Sequence, residues 1–206
     1  MGAERTRIRR LPEKAVHDRA ALDAILDAGR VAHLAITADG QPYALPVGYA
    51  RDGDRVLVHG STGSRLLRTL ATGVPACLTV TLLDGLVLAR SAFESSMHYR
   101  SAMVLGRAAA VDDQLAALRV LTEHLLPGRW AQLRAPHRRE LSATLVLAIP
   151  LDEWSVKVSD GPPDDPSEDL DQPVWAGVVP LVESYGPPVT APGVDPAFAP
   201  PPWAVP

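Results

Sequence analysis

The sequence predicts a mainly β fold with a few helices, built as an antiparallel split or closed barrel of six to seven strands. Short segments rich in β-branched and aliphatic residues recur through residues 1–159. Asp-Gly pairs, which favour hairpin turns, separate several of these segments. Most connections are also too short for the helical crossovers of a parallel sheet. An antiparallel barrel with helices at its ends fits these observations best.

The strands are predicted from alternating apolar runs. "VAHLAIT", "PYALPVGYA" and "RVLVHG" are separated by "ADGQ" and "RDGD" and predict a three-stranded meander. "ACLTVTLL" and "LVLARSAF" predict a hairpin that turns at Asp84–Gly85. "RSAMVLGRAAAV", "TLVLAIPL" and "EWSVKVS" complete the predicted set.

Three helices are predicted between these strands. The first follows Asp18 as its N-cap and stops at Gly29. A short one spans 64–72, and a third spans 113–126. In the third helix the leucines at 115, 118, 121 and 125 are expected to face the core.

Composition narrows the class of protein. The chain has 206 residues, is 47% hydrophobic and carries a net charge of -4, so nothing favours a nucleic acid or an anionic membrane as partner. Cys77 is its single cysteine, which excludes an intrachain disulfide. The N-terminal segment lacks the apolar stretch of a signal peptide. We therefore expect a cytoplasmic protein.

Proline divides the chain into two parts. Residues 1–159 form the predicted folded domain, whereas 160–206 hold most of the 20 prolines and predict an extended tail. Within the tail, "PVWAGVVPLV" (173–182) is apolar enough to dock on the barrel or on a partner, as an edge strand.

The loop "VHGSTGSRLLR" (58–68) has the composition of an anion site. Gly60 and Gly63 would let backbone amides converge, and Arg65 offers a guanidinium to phosphate oxygens. Ser61, Thr62 and Ser64 add hydroxyl groups. The segment matches neither a P-loop nor the dinucleotide fingerprint. A plain strand-to-helix connection with a serine cap would use the same residues and remains an alternative.

The order of segments around this loop adds a family resemblance. "QPYALPVGYARDGDRVLVHG" precedes it and "HYRSAMVLGRAAAVDD" follows it. This arrangement, over about residues 11–159, resembles the FMN-binding split barrels of the pyridoxamine 5'-phosphate oxidase-like superfamily, and most of all its nitroimidazole-reductase-like branch. "KVSDGPPDD" and "PVWAGVVPL" are also similar to the C-terminal extension of that branch.

The resemblance implies a homodimer that binds FMN in clefts between its subunits, although some relatives use F420 or haem. Residues 45–49 would lie along the isoalloxazine edge through their backbone, and the loop would hold the ribityl chain and the phosphate. A stretch of β structure at 99–101 would complete the site from the second subunit. The cofactor-binding residues that it implies are Leu45, Pro46, Val47, Gly48, Tyr49, His59, Gly60, Ser61, Ser64, Arg65, Tyr99, Arg100 and Ser101.

The sequence differs at two places from the pyridoxamine 5'-phosphate oxidases within this superfamily, and both differences bear on the substrate. Leu66 stands where a second basic residue is usual, and their arginine-rich C-terminal motif is replaced by "PVWAGVV". Vitamin B6 oxidation is therefore not expected. The leading hypothesis is an FMN-dependent oxidoreductase acting on an unknown small organic substrate. A non-catalytic flavin- or haem-binding protein and an F420-dependent reductase are the alternatives.

No catalytic residue can be assigned, and several site residues have structural alternatives. Arg65 could be a solvated helix-start residue, and Arg100 could pair with Glu94 or with a carboxylate of a partner chain. Both Tyr49 and Tyr99 could be core or interface aromatics. His98 could act as an acid, a base or an axial ligand, or could simply lie on the surface. The six histidines show no metal-ligand spacing, so no metal site is expected.

Overall fold

The computed structural model describes residues 2–204. The strands are β1 (Ala15–Val16), β2 (Val31–Ala38), β3 (Gln41–Asp52), β4 (Arg55–Ser61), β5 (Pro75–Leu88), β6 (Ser96–Arg107), β7 (Ala109–Ala110), β8 (Thr144–Pro150), β9 (Glu153–Ser159) and β10 (Gly177–Pro180). The α-helices are α1 (Gly2–Arg5), α2 (Arg19–Ala28), α3 (Arg65–Leu70), α4 (Gln114–Leu125) and α5 (Arg138–Ser142). Short 3-10 helices lie at Pro12–Lys14, Trp130–Gln132, Ser167–Asp169 and Pro202–Ala204.

All the strands join one antiparallel sheet, so the predicted fold class is confirmed. The order is β1-β9-β6-β5-β2-β3-β4-β8-β7, with β10 added to β5, and the path does not close on itself. Residues 2–204 contain ten strands rather than six or seven, because β1, β7 and β10, with only two to four residues each, add to the predicted set. Strands that short carry no readable alternation.

Strand β3 pairs with a different neighbour along each half of its length. It pairs with β2 along Gln41–Gly48 and with β4 along Tyr49–Asp52. In β2 every second residue from Ala32 to Ile36 is buried, as expected for a strand with one face on the core. Helix α2 adds Leu22, Ile25 and Leu26 to this core. The sheet therefore wraps around one apolar cluster.

Helix α4 covers the opposite face of the sheet. Ala117 and Leu121 pack with Ala50 and Leu57 in a second, smaller apolar cluster. The expectation that Leu115 faces the core is wrong, since its side chain is 46% exposed. At about 100° per residue, Leu115 is rotated about 200° away from Ala117 and so points to solvent.

The hairpin turn predicted at Asp84–Gly85 is also wrong. β5 continues to Leu88, and its register with β6 shifts between Leu83 and Gly85, which leaves Asp84 as the bulged residue. The Asp84 carboxylate accepts hydrogen bonds of 2.8 and 2.7 Å from Arg100 on β6. A Cβ on Gly85 would lie 3.0 Å from the carbonyl oxygen of Val179, so glycine allows β10 to approach. The actual turn lies at residues 89–95.

The proline-rich segment lies along the outer part of strand β5. β10 pairs with Gly85–Leu88 of β5, and Leu181 N donates to Asp84 O at 2.9 Å. Asp165, whose side chain is only 2% exposed, accepts from Arg90 Nη1 at 2.8 Å and from the Arg90 amide. Further on, Trp203 Nε1 donates to Pro127 O at 2.7 Å. No helix within residues 2–204 is long and apolar enough to span a membrane.

Candidate cofactor site

A cleft opens where β3 and β4 diverge. The two strands pair only from Tyr49 and Val58 toward their common turn, whereas β4 goes on pairing with β8 as far as Ser61. Along 45–48, the edge of β3 that faces β4 has no strand partner among the described residues. The amide and carbonyl groups on that edge are therefore available to a planar ligand, because strand backbone groups left without a ladder need other partners.

Helix α3 closes the inner side of this cleft. Its cap Ser64 accepts a hydrogen bond from Leu67 N at 3.4 Å, and Leu66, Leu67 and Leu70 are buried in the core. A Cβ on Gly60 would lie 2.7 Å from Leu67 Cδ1, so glycine permits the helix to pack against β4. Between β3 and α3 remains a cavity of about 170 Å³, lined by Ile36, Ala38, Tyr43, Leu45, Ser64, Arg65, Leu66 and Thr69.

The loop before α3 does not present the amides that its glycines suggested. Thr62 N donates to Ala143 O, Gly63 N to Ser61 Oγ and Ser64 N to Ser61 O, at 2.9 to 3.1 Å. Gly63 does not have a positive φ. The expectation of amides converging on an anion is thus wrong for residues 62–64, because the protein itself satisfies them. The hydroxyl groups and Arg65 are what the loop can offer to a phosphate.

Arg65 is a positioned cation at the mouth of the cavity. Its guanidinium carbon lies 4.4 Å from the centroid of the Tyr43 ring, a cation–π distance. Within residues 2–204 no carboxylate pairs with it. An ordered guanidinium without a counter-charge is well suited to bind a phosphate through two parallel hydrogen bonds.

His59 lies beside this loop, at the open end of β4. The residue is exposed at its surface, but surrounding protein atoms partly desolvate the imidazole and hold its pKa below the ordinary value, which favours the neutral ring at physiological pH. No hydrogen bond to His59 is present in the described part of the chain. His98 and His124 differ, because their Nε2 atoms lie 2.7 Å from the carbonyl oxygens of Gly161 and Gly29. His59 therefore has ring nitrogens free for a ligand.

Two of the sequence-predicted tyrosines occupy different environments. The Tyr49 side chain is fully buried and donates to Leu26 O at 2.8 Å, and burial strongly raises the pKa of its phenol. Only the backbone of Tyr49 can therefore contact a ligand in the cleft. Tyr99 lies half-buried on β6, paired with Leu83 of β5.

Within one chain, Tyr99, Arg100 and Ser101 are not brought to the cleft. They lie on β6, which β5 and β2 separate from β3. Arg100 pairs with Asp84 rather than with Glu94, and its hydrogen bond lowers the pKa of the Asp84 carboxyl. In the order of the sheet, these three residues are thus two strands away from the open edge of β3.

Several residues that line the cavity were not among the predicted site residues. Tyr43 and Thr69 are the clearest cases, since both line the cavity. The signal for Tyr43 was present: it alternates with Leu45 along β3, so the two side chains share a face. Thr69 lies one helical turn after Arg65 and so faces the same way. The described residues contain no group of three or more potential metal ligands.

Comparison with known proteins identifies relatives along nearly the whole chain. The FAD and heme binding protein from Mycobacterium smegmatis is 49% identical, covers 92% of this chain and 94% of its own, and superposes with a TM-score of 0.89. The flavocytochrome Anf3 from Azotobacter vinelandii is 40% identical, with 98% and 95% covered and a TM-score of 0.90.

A more distant structure shares the fold alone. A proposed 5-nitroimidazole antibiotic resistance protein from Bacteroides thetaiotaomicron is 20% identical over 70% of this chain and 86% of its own, with a TM-score of 0.60. No curated protein matches the sequence. The family model described as pyridoxamine 5'-phosphate oxidase matches residues 18–158. With that match over more than half of its length, the chain belongs to the pyridoxamine 5'-phosphate oxidase family.

Proposed function

We propose that the protein is a flavin-dependent oxidoreductase whose isoalloxazine ring lies in the cleft between β3 and β4. The observation that carries this proposal is the unpaired edge of β3 at 45–48, which faces the segment from His59 to Arg65. A free strand edge supplies alternating donors and acceptors, as the polar edge of an isoalloxazine ring requires. The names of the two most identical relatives given above support a flavin, and neither names F420.

Each part of the cleft has a distinct role in this proposal. The backbone of Leu45, Val47 and Gly48 orients the ring, and Arg65 binds the phosphate. The hydroxyls of Ser61 and Ser64 can hydrogen-bond the ribityl chain or the phosphate. A bound flavin supplies the electron-transfer chemistry itself, whereas the protein supplies position and excludes water. Tyr49 takes no part in proton transfer, since its phenol is buried and bonded to Leu26 O.

Leu66 argues against vitamin B6 oxidation. Its side chain is 8% exposed and belongs to the core cluster, so this position supports the helix rather than a phosphate. We propose a small organic acceptor or oxygen as the electron acceptor instead.

We also propose that the working form is a homodimer. Ligand pockets commonly enclose about 300–1,000 Å³, whereas the cavity in one chain holds about 170 Å³. Exposed apolar side chains on the sheet, such as Val31 at 53% and Leu83 at 45%, offer a surface for a second copy. In such a dimer, Tyr99, Arg100 and Ser101 would complete the cleft of the partner. Sedimentation of the protein as a monomer at micromolar concentration would contradict this assembly.

Haem is a second candidate cofactor, favoured by one specific observation. His59 is neutral and has no hydrogen-bond partner in the described chain, and a neutral imidazole nitrogen is a common axial ligand of haem iron. His98 is less suitable because its Nε2 already contacts Gly161 O. Since two relatives carry haem or cytochrome in their names, we propose that His59 ligates a haem in addition to the flavin.

Titration of the purified protein tests both candidates. Flavin added to the protein should lose fluorescence saturably, and the complex should oxidise NADH or NADPH in the presence of an acceptor. Haem should give a Soret band that His59→Ala shifts or abolishes, while flavin binding persists. Flavin fluorescence that stays unquenched would overturn the flavin proposal. A bound flavin with no turnover across donors and acceptors would favour a non-catalytic flavin-binding role.

A further inference from the structure

We propose that a pocket between the end of α4 and the C-terminal segment binds the substrate, and that this substrate is a small aromatic anion. The pocket, which we name the C-terminal pocket, is bounded by Leu126 and Arg129 on one side and by residues from 188–203 on the other. The inference rests on the proposed function, because it names the class of molecule that would exchange electrons with a flavin in the adjoining cleft.

The C-terminal pocket is large enough for a whole organic molecule. Its volume is about 750 Å³, and ligand pockets commonly enclose about 300–1,000 Å³. The cavity between β3 and α3 is much smaller, at about 170 Å³. Of these two spaces, the C-terminal pocket is therefore the one with room for a substrate.

Aromatic contacts attach the outer wall of the pocket to the folded domain. Trp203 Nε1 donates to Pro127 O at 2.7 Å, and the ring centroids of Trp203 and Tyr185 are 5.5 Å apart. The guanidinium carbon of Arg30 lies 5.4 Å from the centroid of the Tyr185 ring, a cation–π distance. The C-terminal segment is thus held in place on both sides of the residues that line the pocket.

These contacts place the pocket beside the flavin cleft. Val31, which follows Arg30 in the chain, pairs with Gly48 at one end of the free edge of β3. On the α4 side, Leu125 Cδ1 lies 3.5 Å from the position that a Cβ on Gly48 would take, and Leu126 lines the pocket. Each wall is therefore connected through close neighbours to the end of the cleft where we place the isoalloxazine ring.

The lining of the pocket is mainly apolar and open to solvent. Phe198 is 74% exposed, and Leu126 and Val189 are exposed as well. A ligand lying between these side chains would remove them from water, which is favourable in proportion to the apolar area buried. Phe198 and Trp203 also offer aromatic faces, on which a planar ring can stack. The lining therefore favours an aromatic ligand.

Arg129 gives the pocket a positive charge. Its Nη1 donates to Gln132 Oε1 at 2.8 Å, which orients the guanidinium at the wall. Within residues 2–204 no carboxylate forms an ion pair with Arg129, and no described lining residue is acidic. Asp195 lies nearby in the chain, but its carboxylate accepts from Ala197 N. A guanidinium without a counter-charge is suited to a carboxylate or a sulfonate, so the pocket favours an anion.

The lining argues against haem as the occupant. Haem iron is held by histidine, cysteine, methionine or tyrosine, and none of the described residues that line the pocket is of these types. The C-terminal pocket is therefore distinct from the haem site proposed at His59.

Two fluorescent probes that differ in one charge test the role of Arg129 in the full-length protein. The probes are 8-anilinonaphthalene-1-sulfonate and N-phenyl-1-naphthylamine, which lacks the sulfonate. Arg129→Gln should raise the Kd of the sulfonate by at least about fivefold, because it removes a charge-assisted hydrogen bond at a site open to solvent. The Kd of the neutral probe should stay within about twofold of wild type, since stacking does not depend on the guanidinium charge.

Arg138→Gln is the matched control for Arg129→Gln. Arg138 is an exposed arginine that does not line the pocket, and its loss changes the net charge by the same amount. It should alter the Kd of either probe by no more than about twofold. Equal effects of the two arginine variants on the sulfonate would overturn the proposed anion site.

The two phenylalanines of the chain provide a second matched pair. Phe93 and Phe198 are both exposed, but only Phe198 lines the C-terminal pocket. Phe198→Ala should raise the Kd of both probes by about threefold or more, because both stack on the same ring. Phe93→Ala should leave both values within about twofold. If the two variants bind the probes equally well, the probes bind elsewhere and the inference is wrong.

Titration of the flavin-loaded protein tests whether the pocket adjoins the ring. The sulfonate should bind as it does without flavin and should change the visible absorption of the bound flavin, in a band where the probe itself does not absorb. Phe198→Ala should weaken that change at the same probe concentration. A bound probe that leaves the flavin spectrum unaltered, or one that flavin displaces by competition, would overturn the substrate assignment. A protein that binds no flavin would refute the proposed function, whereas loss of the Arg129 dependence in a flavin-binding protein would refute this inference alone.

Discussion

Removal of the Arg65 guanidinium is the sharpest mutational test of the phosphate site. The side chain is exposed, and within residues 2–204 its guanidinium packs over the Tyr43 ring at 4.4 Å with no carboxylate partner. Exposed cation–π contacts contribute about 0.5–1 kcal/mol. Arg65→Ala should therefore lower the free energy of unfolding of the flavin-free protein by no more than about 1 kcal/mol. The fold should survive, which leaves the effect on binding interpretable.

The expected loss of flavin affinity is larger. A hydrogen bond to a charged group contributes about 1.5–3 kcal/mol, and each 1.4 kcal/mol changes a dissociation constant about tenfold. Arg65→Ala should thus raise the Kd for FMN or FAD by about tenfold to 150-fold. Part of this difference should disappear at high salt, because the phosphate and the exposed guanidinium are screened by ions.

Fluorescence titration of flavin at fixed ionic strength measures this change. Arg68→Ala is the matched control, since Arg68 is an exposed arginine on the same helix but does not line the cavity. It should leave the Kd within about twofold, which separates a specific contact from a general loss of positive charge. Equal Kd values for Arg65→Ala and wild type would refute the phosphate site, whatever the fold does.

Three further predictions concern the residues that build the cleft. Gly60→Ala places a Cβ 2.7 Å from Leu67 Cδ1 and should lower the free energy of unfolding by about 1–3 kcal/mol in urea titrations, whereas Gly63→Ala, whose nearest atom is 3.5 Å away, should change it by less than half as much. Tyr49→Phe removes the bond to Leu26 O and should cost about 1 kcal/mol; an unchanged urea midpoint would contradict that bond. Desolvation lowers the pKa of His59 in the folded protein below its ordinary value of 6.5. As the pH falls below 6.5, the unfolded chain therefore binds a proton at this residue before the folded chain does. Wild-type stability should therefore fall more steeply than that of His59→Gln as the pH drops below 6.5, and parallel pH curves would show that desolvation of His59 has no such effect.

Much of the fold was predictable because its signals are local. Asp18 caps α2 and Ser64 caps α3, each by accepting a backbone hydrogen bond. The Asp-Gly turn between β2 and β3 forms as predicted, with positive φ at Asp39 and Gly40. The same dipeptide at Asp84–Gly85 forms no turn. There the outcome depends on Arg100 and on the approach of β10, and both are distant in sequence.

The site was predictable to a lesser degree, for the same reason. The composition of the loop indicated an anion site, but whether its amides were free depended on Ala143, which accepts from Thr62 N. The cavity depends on the meeting of β3 and α3, so the alternation of Tyr43 with Leu45 and the helical spacing of Thr69 from Arg65 did not by themselves indicate a shared cavity. In the proposed dimer the role of the β6 residues would depend on a second copy of the chain, and no local pattern describes how two copies would meet.

The position of the flavin ring in a crystal structure of the flavin-bound protein tests the central claim most directly. In the proposed site, the isoalloxazine edge forms hydrogen bonds with the backbone of residues 45–48, and the phosphate lies on Arg65. A ring bound elsewhere, for instance against α4 or under the C-terminal segment, with the 45–48 edge still free, would contradict it.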